Sequence, residues 1–453
     1  MLQIRLRQGN QMLTRRTFSA ALSSLAAPRT QPKNILLITV DNLGYGDLGC
    51  YGNTQIKSPH LDRLAAGGVR FVNFYCASPT CTASRAGLLT GRHPIRYRLN
   101  YQLRPEENKR GIGLPHSEKL IPQYLKPFGY ATGCFGKWNL GFAPGSRPTE
   151  RGFDEFFGHR SGNIDYYSHI YNGEIDLYRG TRPARVKGYS VDLFAGEAIG
   201  FLRRKRSQPF FAYVPFNSPH FPNKANLSPG ESPEWQAPEK YFAEYGYSPK
   251  ETDEVKRYRV VVTALDDAIG RILGALDALR LSGSTVVYVG SDNGAFMLPQ
   301  RGLEVQTNAP LRDGGVTCWE GGIRVAGMAR WPGVTPRGAV CGVMLSAMDL
   351  LPMSLAAAGA PLPAEPVLDG RDPTSALRGD SRPVHEALYF EYQKHQAMRT
   401  GKWKLVRPDP GQPWQLYDLD VDQGERNDLA ATQPEQAARL AARFSQWRSS
   451  VGG

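Results

Sequence analysis

The sequence predicts an α/β protein, and three observations carry that expectation. Three runs of strand length, 34–40, 209–216 and 284–291, are almost continuously apolar and rich in β-branched or aromatic residues, the pattern of strands covered on both faces. Helical stretches lie between them, at 189–202 and in a long amphipathic segment over 253–279. Each strand run also ends in polar residues: Asp41-Asn42, Asn217-Ser218-Pro219-His220 and Asp292-Asn293. Open α/β sheets bind ligands at the carboxyl ends of their strands, so those three ends are where chemistry is expected.

Taken in order, the chain starts with Thr14-Arg15-Arg16-Thr17-Phe18 and a small apolar run at 19–27. This reads as a twin-arginine-type export signal over residues 1–30 and points to a periplasmic or extracellular protein, with Met12 an alternative start. No later run approaches the ~20 apolar residues a membrane helix needs, so no transmembrane segment is expected. The 453 residues carry a formal charge of +13, which favours anionic partners. No basic run interleaved with aromatics resembles a nucleic-acid module, so nucleic acid is not expected among them. The densest basic cluster, 203–206, reads as a solvated helix end. Six cysteines lack CxxC spacing, so neither a zinc site nor a disulfide scaffold is predicted, although single pairs stay open.

After the first strand, residues 59–67 have the spacing of a short amphipathic helix closed by glycine. The stretch 78–93 then reads S-P-T-C-T-A-S-R-A-G-L-L-T-G-R-H. Arg85 lies one helical turn after Cys81, so the two share a face if a helix begins there. By itself a cysteine beside an arginine reads as a structural thiol. Strand 129–137 ends in Gly136-Lys137-Trp138-Asn139-Leu140-Gly141. The mid-helix pair Asp266-Asp267 is read as structural, on a solvent face. Asn226-Leu227-Ser228 fits a glycosylation sequon but is discounted because Pro229 follows. The tail alternates short strands at 387–392, 396–406 and 414–418 with a final helix at 434–450. Residues 31–378 are therefore taken as the main domain and 379–453 as a small C-terminal α+β lobe.

The run C-T-A-S-R with L-L-T-G-R behind it resembles the signature of the type I sulfatases, in the alkaline-phosphatase-like superfamily. The similarity extends in order from about residue 34 to 429. It implies a large mixed, mainly parallel sheet sandwiched by helices, and a sulfuric ester hydrolase acting on a sulfated carbohydrate or aryl sulfate. In this family the cysteine is oxidised to formylglycine by a maturation enzyme, and by resemblance Cys81 is that nucleophile. Arg85 and Lys137 would anchor it, Lys137 would also bridge to the sulfate, and His220 would protonate the departing alcohol. Asp41, Asn42, Asp292 and Asn293, with the group at position 81, would hold a divalent metal. An all-oxygen set suits calcium, and magnesium less well.

Four departures from the family text matter. Asn42 replaces a second aspartate, and Asn139 replaces a histidine that assists proton transfer. The sulfate-binding lysine falls on Gly315 in ungapped register, with Arg312 the nearest candidate to substitute for it. Ala83 stands where many relatives carry proline. His93 or His116 is considered as a replacement base. These changes keep two alternatives open: a sulfatase-like protein that binds sulfated glycans without turnover, and a phosphate or phosphonate ester hydrolase. Specificity is expected in the loops at 93–118, 160–190 and 223–250.

Overall fold

The central strand β1 (Asn34–Val40) is buried along its whole length because it has strands on both sides and helices over both faces. The computed structural model describes residues 33–104, 106–107, 110–222, 235–297 and 304–452; the export-signal stretch and the sequon at 226–228 lie outside them. The strands that follow in the main sheet are β2 (Val69–Phe71), β3 (Ala131–Lys137), β4 (Glu155–His159), β5 (Tyr178–Arg179), β6 (Arg182–Pro183), β7 (Phe210–Pro215), β8 (Thr285–Ser291), β9 (Gly327–Arg330) and β10 (Ala339–Cys341). Together with β1 they form a ten-stranded sheet in the order β10-β2-β9-β8-β1-β7-β3-β4-β5-β6. The block β8-β1-β7-β3-β4 is parallel throughout, and the pairs β8–β9, β9–β2, β4–β5 and β5–β6 are antiparallel. The expected mixed, mainly parallel sheet is therefore present.

Side chains alternate across this sheet with period two, so each strand feeds both cores. Ile35, Leu37, Phe211, Tyr213, Val286 and Tyr288 pack into one core with Ala86, Leu88 and Leu89 of helix α2 (Cys81–Thr90). Leu36, Ile38, Val40, Ala212, Val214, Val287 and Val289 pack into the other. They meet α1 (Pro59–Gly67), α3 (Ser190–Lys205) and α4 (Glu254–Ala278) through Leu61 and Leu64, Phe194 and Phe201, and Val261 and Leu265. The basic cluster does close α3, where Arg204 pairs with Glu155 at 2.6 Å.

One reading of α4 needs correction. Asp266 does not face solvent: it is buried and accepts hydrogen bonds from the amides of His60 at 3.0 Å and Leu61 at 2.8 Å. It caps the N-terminus of α1 from a neighbouring helix, where amides lack partners within their own helix. Asp267, one residue on, pairs with Arg271 at 3.3 Å and takes the Tyr241 hydroxyl at 2.6 Å. The structural role expected for the pair thus has two different geometries.

The tail forms a four-stranded antiparallel sheet of β11 (Leu388–Tyr392), β12 (His395–Thr400), β13 (Trp403–Arg407) and β14 (Gln415–Asp418). A turn at 401–402 divides the run read as one strand over 396–406. Met398, Leu405 and Leu416 pack under α5 (Pro434–Ser450) through Ala437, Leu440 and Phe444. The lobe is tied to the main sheet by buried charge: Lys404 Nζ lies 2.9 Å from Glu320 Oε1 and 3.1 Å from Glu425 Oε1. Tyr75 donates its hydroxyl to Glu320 at 2.8 Å, and Arg399 Nε donates to that hydroxyl oxygen at 3.1 Å. All six cysteines are free thiols.

Candidate active site

Four adjacent parallel strands deliver the predicted residues to one edge of the sheet. Asp41 follows β1, Asp292 follows β8, Lys137 ends β3, and the Ser218-Pro219-His220 turn follows β7. Parallel neighbours end on the same side, so residues distant in sequence converge there without long side chains. Helix α2 points its N-terminus at the same place and presents Cys81 as its first residue, after Thr80 in extended conformation. The positive end of the helix dipole favours an anion at that position.

The charges interlock. Arg85, one turn into α2, sets Nε 2.8 Å and Nη2 2.7 Å from Asp292 Oδ2, and Nη2 lies 3.8 Å from Asp41 Oδ1. Lys137 Nζ donates to Asp41 Oδ2 at 2.7 Å. Cys81 Sγ lies 3.4 Å from Asp41 Oδ1 and 3.7 Å from Asn42 Oδ1. Asp41, Asn42, Arg85, Lys137, Asp292 and Asn293 are all buried, as is Cys81. Burial pushes the Cys81 thiol well above its usual range; Lys137 opposes this and the Asp41 charge reinforces it. Burial likewise raises the Asp292 carboxyl, against the pull of Arg85.

His220 donates from Nδ1 to the carbonyl oxygen of Phe221 at 2.5 Å. A carbonyl can only accept, so Nδ1 carries the proton and Nε2 is left with a lone pair. Burial, with the Lys137 charge second, pushes the imidazole down to about 3, so it is neutral in the resting protein. Two aromatic residues hold its loop: the Tyr166 hydroxyl donates to His220 O at 2.8 Å and Trp235 Nε1 to Pro219 O at 2.9 Å.

The two amide substitutions share a backbone reason. Asn42 has φ +61° and Asn139 has φ +56°. Among non-glycine residues Asn, Asp and His are the ones enriched in that left-handed region, so an amide fits the fold at both places and changes only the chemistry. Asn139 Oδ1 accepts from Gln102 Nε2 at 3.0 Å, while Gln102 Oε1 accepts from Thr80 Oγ1 at 3.0 Å and the Thr82 amide at 3.2 Å. Nδ2 of Asn139 is buried without an acceptor.

The oxygens here, not the sulfur or the imidazole, are what suit a hard cation. Asp41, Cys81 and His220 each place a ligand atom within 4.8 Å of the others, and of these only the Asp41 carboxylate is a hard donor. Asn42 Oδ1 lies beside Cys81 and accepts from Asn293 Nδ2 at 2.6 Å, and Asn293 Oδ1 is a buried acceptor with no donor. A buried oxygen without a partner is costly, and a cation drawn to the neighbouring carboxylates would satisfy it.

Three other candidates lie elsewhere. Arg312 stacks its guanidinium 3.6 Å over the Trp319 ring and donates to Glu425 O at 2.8 Å, lining a different cleft. It does not take the place of a lysine at Gly315. His93 bonds to Tyr389 O at 3.0 Å and packs edge-on against Trp447, also in a separate cleft. His116 is exposed and lies against Gly145. Neither histidine lines the cavity above Cys81.

That cavity, about 300 Å³, is lined by Thr80, Cys81, Gln102, Leu103, Arg104, Gly162, Asn163, Tyr171, His220, Phe221, Phe296, Val316 and Tyr392. The loops at 93–118 and 160–190 supply part of this lining; of the third expected loop, 223–250, residues 223–234 lie outside the described residues and 235–250 do not line the cavity. Phe296, Val316 and Tyr392 were not foreseen, and no local motif marks them.

The sulfatase family profile matches residues 33–360. The chain belongs to the sulfatase family. As a sulfatase it is 36% identical to N-acetylgalactosamine-6-sulfatase of Sus scrofa, covering 89% of this chain and 77% of that protein. It is 33% identical to arylsulfatase A of Homo sapiens, over 90% of this chain and 85% of that one. Among solved structures, Ps i-CgsB in complex with k-i-k-neocarrahexaose superposes with a TM-score of 0.83 at 28% identity, covering 92% of this sulfatase and 93% of that chain. Among the described residues of the sulfatase no helix is long and apolar enough to cross a membrane.

Proposed function

We propose that the protein hydrolyses the sulfate ester of a sulfated carbohydrate, using a formylglycine made from Cys81 by a maturation enzyme, and does so outside the cytoplasm. The observation that carries this reading is the convergence of Cys81, Arg85, Lys137, His220, Asp41 and Asp292 on one buried sheet edge beneath a cavity. A formylglycine at position 81 supplies a hydrated-aldehyde hydroxyl as nucleophile and a second hydroxyl whose deprotonation releases sulfate. Asp41, Asn42, Asp292 and Asn293 would hold a divalent metal, calcium by the hardness and number of its oxygen ligands, which would supply Lewis-acid stabilisation of the transferring sulfuryl group.

The protein's own groups do the rest. Arg85 is locked by Asp292, and that fixed geometry keeps the residue-81 side chain against Asp41. Lys137 stands beside the same carboxylate, placed to meet a sulfate oxygen as negative charge grows on it. His220 enters neutral. An arriving sulfate brings negative charge to its Nε2 side and raises its proton affinity, so it gains a proton that it can pass to the departing alkoxide. Asn139 cannot move a proton near neutral pH. Its free Nδ2–H and the Gln102 brace make it a fixed donor instead.

Two tests decide the reading. Mass spectrometry of the peptide spanning residue 81, from a host with a competent maturation enzyme, should show the thiol sulfur replaced by an aldehyde oxygen. Sulfate release should then be measured over a panel of sulfated sugars, aryl sulfates and matched phosphate esters. Aldehyde present, with release fastest from a sulfated sugar, supports the proposal. Unmodified Cys81 with tight sulfated-glycan binding and no release would replace it with a binding protein, and preference for phosphate esters would replace it with the phosphohydrolase alternative.

A further inference from the structure

Gly315 lacks a side chain for a reason visible in the packing: Phe296 fills the space. A Cβ built on Gly315 would lie 2.1 Å from Cδ1 and 2.3 Å from Cε1 of the Phe296 ring, and 2.7 Å from Gly294 O. The backbone there is pinned. Gly315 donates its amide to Ala295 O at 2.8 Å, and Asn308 Nδ2 joins Ala295 O at 3.0 Å to Asp313 O at 2.9 Å. The loops at 294–296 and 313–316 are thus zipped together, and any side chain at 315 requires the ring to leave and the backbone at Gly294 to shift.

The wall so formed is apolar. Phe296 meets His220 edge-on, with ring centroids 5.9 Å apart at 71°. Val316 lines the cavity next to it with φ +67°, a conformation that strains a β-branched residue. Its amide is held by Pro79 O at 2.8 Å, just ahead of the helix that carries Cys81.

We propose that Phe296, with Val316, is a leaving-group platform that packs against the apolar face of the pyranose ring carrying the sulfate. The ring's hydroxyl edge then meets Gln102, Asn163 and Arg104, which line the same cavity. Small-molecule sites of this kind combine apolar walls with a few placed polar groups. The proposal rests on the sulfatase reading for its substrate class and exchanges a cation on the sulfate for contact with the alcohol.

The test compares wild type, Phe296→Ala, Gly315→Lys and the Phe296→Ala/Gly315→Lys double variant. N-acetylgalactosamine 6-sulfate serves as substrate, and free N-acetylgalactosamine and inorganic sulfate as inhibitors. Phe296→Ala should raise KM for the sulfated sugar and Ki for the neutral sugar about 10- to 100-fold, the range one apolar contact supplies, and leave the Ki of inorganic sulfate within about two-fold. Gly315→Lys should lower Tm by overpacking, removing the ring in the double variant should recover part of that loss, the contact with Gly294 O remaining, and the added cation should tighten inorganic sulfate. A Phe296→Ala variant that changes sulfate and sugar inhibition equally, or neither, overturns the platform. If wild type releases no sulfate from any ester, the sulfatase reading fails on its own. Calorimetric binding of the neutral sugar to wild type and Phe296→Ala still decides whether the wall binds a ring.

Discussion

Two of the buried charge clusters among the described residues are built on opposite plans. The one at the strand ends, Asp41, Asp292, Arg85 and Lys137, borders a cavity and leaves amide atoms of Asn42, Asn139 and Asn293 without partners. The one beneath the C-terminal lobe, Glu320, Glu425, Lys404, Arg324 and Arg399, closes on itself between two sheets, with Lys404 reaching both acids. Burial raises Glu425 to about 7, while Glu320 is held low by Lys404, Arg324 and Arg399 in spite of burial. Both clusters remove charge from water, which is costly unless every charge is matched. The difference lies in what is left over: the cluster proposed to meet a ligand keeps unspent hydrogen-bonding capacity on its amides, and the cluster that holds parts together keeps almost none.

The largest effect expected from this contrast is on stability. Lys404→Met strands two carboxylates in a dry interior and should cost about 3–5 kcal/mol in denaturant unfolding, with Glu425→Gln recovering part of it. If Lys404→Met unfolds like wild type, the brace is not structural. Lys137→Ala should act on rate, lowering kcat about 100- to 1000-fold, as loss of one preorganised donor does. A variant that keeps its rate and loses only stability would merge the two clusters into one class. Metal removal should separate them further. Dialysis against a chelator should lower activity and Tm together, and calcium at 100 times its Kd should return about 2.7 kcal/mol. Magnesium should do so less well. No change in Tm on either addition would remove the cation from the first cluster.

The smallest effect concerns Asp266. Asp266→Ala should lose about 1 kcal/mol with the cap on α1. Burial raises its carboxyl from 3.8 to about 7, against the His60 and Leu61 amides. The native state therefore holds the proton more tightly than the unfolded chain. That contribution is fully present below about pH 4 and is lost as pH rises through 7. The Tm of wild type minus that of Asp266→Asn should accordingly fall between about pH 4 and pH 7, and a constant difference would show that Asp266 ionises at its ordinary value.

What the sequence made legible follows from how far apart the interacting residues lie. The three buried strands, their polar ends and the face shared by Cys81 and Arg85 are local patterns, read over fewer than about ten residues. The tail's antiparallel strands were legible in the same way. Asp266 was assigned to solvent because a helix near a domain face looks alike whether water or another helix end lies beside it. Arg312 was a reasonable cation by spacing, yet the Trp319 face and the Glu425 carbonyl, contributed partly by the distant tail, hold it in another cleft. The Phe296–Gly315 exchange left no trace, since a glycine in a loop gives no sign of which ring occupies its missing side chain. His93 and His116 illustrate the converse: proximity in sequence to the helix that carries Cys81 did not bring them to its cavity.

The Lys404 brace also bears on when the protein becomes itself. A growing chain that has passed Asp292 already carries Cys81, both carboxylates, Arg85, Lys137 and His220. Tyr392, which lines the cavity, and Lys404 and Glu425, which secure the segment beginning at Glu320, have yet to be made. Enclosure of the cavity therefore depends on residues from the last part of the chain, made after every group at the strand ends.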